Sequence, residues 1–249
     1  MKIDKTTLIG ILMFVGVIGY SYVAGDLPRV IFNLHAFLVV IGGTLIATFI
    51  STPYRYLKKT LTYSYLFLKE GDESKPQETI SYIVEISDNV RKQGFRALRD
   101  VDPNIANGFV KRVSDAIVEY ADMQFIKSVM EQEINNNFDE INEVSNVWRV
   151  MAVLAPMFGL VGTLIGIIGV LKEISNPEMV GPSMSVAITS AFYGIFLSNV
   201  IFTPIANKIR TRAIMHLKFK AMVLDGMLEI MKGSVGLMIE RKLKSYIDM

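Results

Sequence analysis

Four stretches of this chain run apolar for nearly the same length. They read "TTLIGILMFVGVIGYSYVAG" (6–25), "VIFNLHAFLVVIGGTLIATFIS" (30–51), "VMAVLAPMFGLVGTLIGIIGVL" (150–171) and "MSVAITSAFYGIFLSNVIFTPI" (184–205). A helix rises about 1.5 Å per residue, so each spans roughly 30 Å, the thickness of a bilayer's hydrocarbon core. Four membrane-crossing helices are expected. Lys2 and Lys5 ahead of the first give it the outline of a signal peptide. Its apolar run is long and a second span follows at once, so it reads as a retained helix.

Between and after these spans the pattern becomes periodic. From Ile126, apolar residues recur at Met130, Ile134, Phe138, Ile141, Val144 and Trp148. Steps of three and four predict one amphipathic helix running straight into the third span. Its other face, with Glu131, Glu133, Asp139, Glu140 and Glu143, is expected to be solvated. "EGDESKPQE" (70–78) reads as a polar loop, and "TISYIVEISDNVRKQGFRALRDV" (79–101) as a charged helix pair or one kinked helix. After the fourth span, Ile205, Ile209, Ala213, Leu217, Ala221, Leu224 and Leu228 continue a helix that Gly233 ends. A last amphipathic helix is expected to use Leu237, Ile239, Leu243 and Ile247. No repeat and no strand-rich region is visible. The predicted fold class is an all-α integral membrane protein. Its divisions are 1–51 (two spans), 52–149 (a large helical cytoplasmic insert), 150–205 (two pore-lining spans) and 206–249 (a cytoplasmic helical tail).

Composition and charge refine this picture. Hydrophobic residues make up 51% of the 249-residue chain. Soluble domains reach such a share only with glycine counted in. The short links carry few bases, namely Arg29 in "GDLPR" and Lys172 in "KEISNPEMVGPS", and acids match or outnumber them. Segment 52–149 holds 13 Lys or Arg, with Arg55, Lys58, Lys59 and Arg149 close to the membrane ends. The tail after Pro204 holds nine, led by Lys208, Arg210 and Arg212. The positive-inside rule therefore puts both termini and the insert in the cytoplasm. A net charge of +2 gives no global case for nucleic-acid binding. Without cysteine there is no disulfide, thiolate nucleophile or Cys-based metal site. His35 and His216, the two histidines, lie far apart in sequence, so zinc chemistry is not expected. No nucleophile–base pair or phosphate loop points to an enzyme. The glycines at 159–169 follow no strand and form no dinucleotide fingerprint.

The third and fourth spans are unusual in their small residues. On a helix, Ala152, Ala155, Gly159, Gly162 with Thr163, Gly166 and Gly169 share one narrow face. Ala187, Ala191, Gly194 and Ser198, with Ser190 beside them, do the same. In lipid, helices gain no hydrophobic energy by touching, and small faces let backbones approach. Two readings follow: the faces pair within one chain, or they line a central space against another chain's helix. No Asp, Glu, Lys or Arg lies inside any of the four spans. An ion pathway normally shows an intramembrane ionisable group. A conducting protein of this sequence must borrow its carboxylate from a partner. It could add hydroxyls such as Thr163, Thr189 and Ser190, or carbonyls loosened near Pro156 and Pro204. His35 reads as a polar interface residue.

The stretch "APMFGLVGTLIGIIGVLKEISNPEMVGPSMSVAITSAFYGIFLSNVIFTPIANKI" (155–209) closely resembles the MotA/PomA family of flagellar stator subunits, within the MotA/TolQ/ExbB proton-channel superfamily. The tail "DGMLEIMKGSVGLMIERKLKSYI" is similar to the family's C-terminal segment. The resemblance implies a homopentamer around two copies of a MotB-like, single-span, peptidoglycan-binding partner. That partner supplies a membrane aspartate, and ion flow drives rotation against the rotor protein FliG. It implies pore-lining roles for Pro156, Gly159, Gly162, Thr163, Gly166, Ser190, Ala191, Gly194 and Pro204. Thr163 falls on the family's threonine beside the ion-binding aspartate. It implies a rotor-facing element at Arg91, Lys92, Arg99 and Asp100, and an inner-membrane location. No cofactor is implied. Sodium-driven members are similar in carrying two threonines where this chain has Ser190 and Ala191, so the expected ion is H+ rather than Na+. The family's rotor element carries an acid where this chain has Arg99, which leaves open an ExbB/TolQ-like or gliding-type energiser of another envelope machine.

Overall fold

The computed structural model describes residues 5–25, 33–64 and 76–247. Every regular element among them is a helix. Arg29 and residues 70–75 of the polar loop lie outside the described residues. The chain divides into two compact units, Met1–Glu70 with Asn142–Arg210, and Gly71–Ile141 with Thr211–Met249.

The first unit holds α1 (Lys5–Val23), α2 (Leu34–Ser51), the short α3 (Tyr54–Tyr63), the later part of α6 (Met123–Lys172), α7 (Pro177–Phe196), a π-helical turn (Leu197–Phe202) and the start of α8 (Thr203–Met231). Helices over Leu34–Ser51, Met123–Lys172 and Glu178–Met231 are long and apolar enough to cross a membrane. Asn33 starts α2 by accepting a hydrogen bond from the Ala36 N–H at 3.1 Å. The buried Thr44 and Thr48 hydroxyls donate to carbonyls of their own helix, Val40 O at 2.6 Å and Thr44 O at 2.7 Å. Those bonds leave no bare polar group to desolvate. The helices meet around Val40, Met151, Ala152, Ala155, Leu197 and Phe202, with Trp148 and Tyr193 beside them. Gly43 lets α2 onto the Phe158 ring, since a Cβ there would come within 2.5 Å of Cε1. The fourth apolar stretch lies within one continuous helical run, Glu178–Met231, which the π turn widens without breaking.

The second unit is packed as a soluble domain is. It contains α4 (Pro76–Gln93), two short 3₁₀ segments (Gly94–Asp100 and Ile105–Gly108), α5 (Phe109–Tyr120), α9 (Gly236–Lys244) and the remaining parts of α6 and α8. Ile83, Leu98, Phe109, Ile126, Met227 and Leu243 are fully buried in one apolar cluster. The stripe read from Ile126 is the inner face of α6, with Ile126, Met130, Ile134, Ile141 and Val144 buried. Its acidic face is not wholly solvated, because Glu133 accepts from Arg112 at 3.1 and 2.8 Å. Of the two readings of 79–101, the kink is observed. Gly94 takes φ +72°, a left-handed conformation that costs glycine nothing, and the chain continues as 3₁₀ helix.

Gly233 ends α8 with φ +78°, as expected. Its N–H donates to Ile230 O at 3.0 Å, and the Ser234 N–H donates back to Glu229 O at 3.1 Å. This is the paired closure of a Schellman turn. In α9 the expected inner face needs correction. Ile239 and Leu243 are buried, but Leu237 is 76% exposed. Two residues before Ile239, at about 100° per residue, Leu237 lies most of half a turn away.

Candidate functional site

The small residues of α6 and α7 meet each other. A Cβ on Gly159 would lie 2.9 Å from Ser190 O and 3.2 Å from the Gly194 Cα. One on Gly162 would lie 2.5 Å from the Ser190 Cβ, and one on Gly166 2.6 Å from the Ala187 Cβ. From the other side, Gly194 faces Ala155 O, 2.7 Å from where its Cβ would be. Five of the nine residues expected at a pore, Gly159, Gly162, Gly166, Ser190 and Gly194, are thus buried in a helix pair within the chain. Pairing within one chain accounts for them. Pro156, Thr163 and Ala191 are half-buried along the edge of that pair, and Pro204 is exposed.

Prolines inside membrane-length helices leave carbonyls to be satisfied. Pro156 has no N–H for the carbonyl four residues back, Ala152 O. That oxygen instead accepts from the buried Ser198 Oγ at 2.6 Å, across from the π turn that follows α7. Pro204 likewise cannot serve Val200 O. Just before it the helix widens into the π turn, where the Thr203 N–H bonds back to Ser198 O at i−5 spacing. Asn199 Nδ2 donates to Ile195 O at 3.0 Å. Ser145 Oγ donates to Ala206 O at 2.8 Å. Sequence reading placed Ser198 only on the small face and missed its bond to Ala152. The signal was Pro156 itself, which announces one orphan acceptor.

The hydroxyls are placed unequally. Thr163 Oγ1 lies within hydrogen-bonding reach of Gly159 O (3.0 Å) and of Ala187 O on the neighbouring helix (3.1 Å). Thr189 donates to Ser185 O at 2.7 Å. Ser190 Oγ is buried over Gly162 and has no hydrogen-bond partner among the described residues. His35 is exposed on α2 and does not join the group.

In the second unit, Arg91 and Lys92 close α4, and Arg99 and Asp100 close the 3₁₀ segment after Gly94. All four are exposed. The fully buried Leu98 fixes this segment from beneath, and Lys111 Nζ donates to Arg99 O at 3.0 Å. Arg96 adds a fourth exposed base, so the ridge is strongly cationic. Farther along, Glu229 accepts from Lys232 (2.8 Å), Ser234 (2.6 Å) and Lys242 (3.2 Å). The Lys232 bond above all, with Ser234 and Lys242, pulls the Glu229 carboxyl down to about 2. Burial pushes the Tyr246 hydroxyl up to about 12, helped by its bond to Asp225.

These geometries lie within a recognisable frame. Residues 88–218 match the MotA/TolQ/ExbB proton channel family, which takes in the cationic ridge and the whole α6–α7 pair. The chain belongs to this family. It is 28% identical to the chemotaxis protein PomA of Vibrio alginolyticus, over 98% of this chain and 96% of that one. It is 28% identical to motility protein A of Bacillus subtilis, over 98% and 91%. The structure superposes on a chain of the flagellar MotAB stator complex from Bacillus subtilis with a TM-score of 0.90. That match, at 27% identity, covers 98% of this chain and 96% of that one. Agreement over nearly full length with PomA, motility protein A and a MotAB stator chain supports the flagellar stator reading over that of another envelope energiser.

Proposed function

We propose that this chain is the membrane wall of an ion-driven flagellar stator. Four helices cross the inner membrane, with α1 and α2 outside the α6–α7 pair. Both termini and the second unit face the cytoplasm, as the Lys and Arg distribution supports. Several copies, five in our reading, surround the transmembrane helices of two MotB-like partner chains. Each partner brings the aspartate that these spans lack. Ion uptake and release at that aspartate turns the wall, and the second unit pushes the rotor.

One observation carries this reading. The apolar spans of α6 and α7, 150–171 and 184–205, close on their own small residues and hold no Asp, Glu, Lys or Arg, so the titrating carboxylate has to be supplied from outside. The edge residues Pro156, Thr163, Ala191 and Pro204 are the ones we assign to the ion path, with Ser190 behind Thr163. Ala191 removes a hydroxyl ligand at its position, which favours H+ over Na+. Arg91, Lys92, Arg99 and Asp100 are assigned to the FliG contact. Charged contacts of this kind set encounter rate and specificity.

The test is co-expression with the single-span partner. Ion flux through the purified complex is expected to vanish when the partner's membrane aspartate becomes asparagine. In the intact complex, Arg91→Glu is expected to reduce swimming while flux is unchanged. Equal loss of both would mean misfolding instead of a lost rotor contact.

A further inference from the structure

We propose that the rotor contact extends beyond the cationic ridge onto the exposed start of α9, where Leu237 and Met238 are its apolar anchors; this rests on the motor reading above. Leu237 is the residue that departs from the inner face expected of α9, and Met238 beside it is 65% exposed. Val235, just ahead of the helix, is exposed as well. Ile239 and Leu243 of the same helix are buried in the core. Single apolar residues on a surface need no explanation, but adjacent ones rimmed by polar groups mark interaction sites. The start of α9 is held against the helix that carries the ridge. Gly236 is buried on α4, since a Cβ there would lie 3.1 Å from Val84 Cγ1 and 3.6 Å from Asp88 Oδ1. Ser87 Oγ donates to Ser234 O at 3.4 Å. Arg91 follows Ser87 on α4 by one helical turn, about 6 Å. The other end of α9 is fixed by Lys242, which lies 3.2 Å from both Asp225 and Glu229.

Ridge and patch do different work in an interface. Exposed charges steer encounter and fix register, and salt screens them. Affinity needs apolar area removed from water, and methionine is enriched where proteins meet. Arg91, Lys92, Arg96 and Arg99 select an acidic surface, and Leu237 and Met238 call for apolar recesses beside it. The occupant is therefore an acidic protein surface with such recesses, which the motor reading assigns to FliG. A bilayer fits less well, because Ile239 and Leu243 lie inside and leave α9 no apolar face to rest in it. A second copy docked through the same patch would set ridge against ridge, like charge on like.

The test uses cells expressing the full-length chain with its single-span partner. The photo-cross-linker p-benzoylphenylalanine is placed in place of Lys92 on the ridge or of Leu237 on the patch. Both positions are expected to form adducts with FliG, detected by antibody, and Arg91→Glu should weaken both severalfold. Leu237→Ser combined with Met238→Ser should cut swim-plate expansion and the ridge adduct severalfold, with ion flux and melting temperature unchanged. Leu237→Met should keep all of these near wild type. Normal swimming by the double variant would overturn the proposal. So would a FliG adduct on the ridge with none on the patch, or a patch adduct made only with lipid or with a second copy. Those results leave the motor reading intact. No FliG adduct at either position would sink the motor reading, and this proposal with it.

Discussion

Helix α6 has two kinds of inner face. In its first part Ile126, Met130 and Ile134 are at most 7% exposed, and large aliphatic side chains are what it hides. In its later part the hidden residues are Gly159, Gly162 and Gly166, while Leu160, Leu164 and Ile168 are more than half exposed. One helix has answered two solvents. In water, removing apolar area drives association, so the second unit buries its largest residues. In lipid that drive is absent, and what remains is close backbone contact and the satisfaction of every polar group. The first unit therefore buries its smallest residues and spends the Thr44, Thr48, Thr189 and Ser198 hydroxyls on carbonyls, with Ser190 the exception among the described residues.

That contrast can be broken most severely at Gly162. Its Cβ position is already filled by the Ser190 side chain. Gly162→Leu is expected to abolish assembly or ion flux while membrane insertion persists. Fractionation would show the protein in the membrane, and swim-plate motility would be lost. Normal swimming would contradict a tight α6–α7 pair. Next in size is the core of the second unit. Phe109→Ala, at a fully buried ring, should cost about 3–5 kcal/mol. Leu164→Ala, on the outward face, should barely change thermal unfolding in detergent. Similar losses at both sites would mean that the two units are packed by the same rule.

A smaller effect sharpens the proline accounting. Ser198→Ala leaves Ala152 O without its partner and should destabilise by about 1–3 kcal/mol. Adding Pro156→Ala restores a backbone N–H to that oxygen and should recover part of the loss. No recovery would mean that Ser198 matters for another reason. The smallest effect concerns Glu229. Its carboxyl sits at about 2 in the folded chain against an ordinary value of 4.5. The stability it contributes is present above about 4.5 and fades as pH falls towards 2. Screening limits such surface ion pairs to below about 1 kcal/mol. A Glu229→Gln variant should melt slightly lower at pH 6, and the gap should narrow below about pH 4.5 and close near pH 2, as followed by circular dichroism.

Much of this was legible in the sequence, for identifiable reasons. Long apolar runs locate membrane-length helices because length alone decides them. Gly233 was legible because a glycine after a periodic stretch is a common left-handed helix end. The Ile126 stripe was legible because the second unit obeys ordinary burial. The division of labour within the small face was not. Gly159 and Thr163 share one helical stripe, and only the position of α7 decides that the glycine is buried and the threonine stands at the edge. The π turn was not legible either, because widening by one residue leaves the apolar pattern intact. Leu237 misled because a short helix offers too few turns to fix its phase.

The bond from Ser198 to Ala152 has a mechanical meaning. A shift of α7 and the π turn that follows it by one helical turn, about 5.4 Å, would strip that carbonyl of the Ser198 donor. It would also take Gly194 away from Ala155 O and the Gly159 Cα, against which it packs. Two rods pegged at Ser198 and Thr163 and notched at several glycines resist shear, so a load applied at either end is transmitted as tilt of the whole plank.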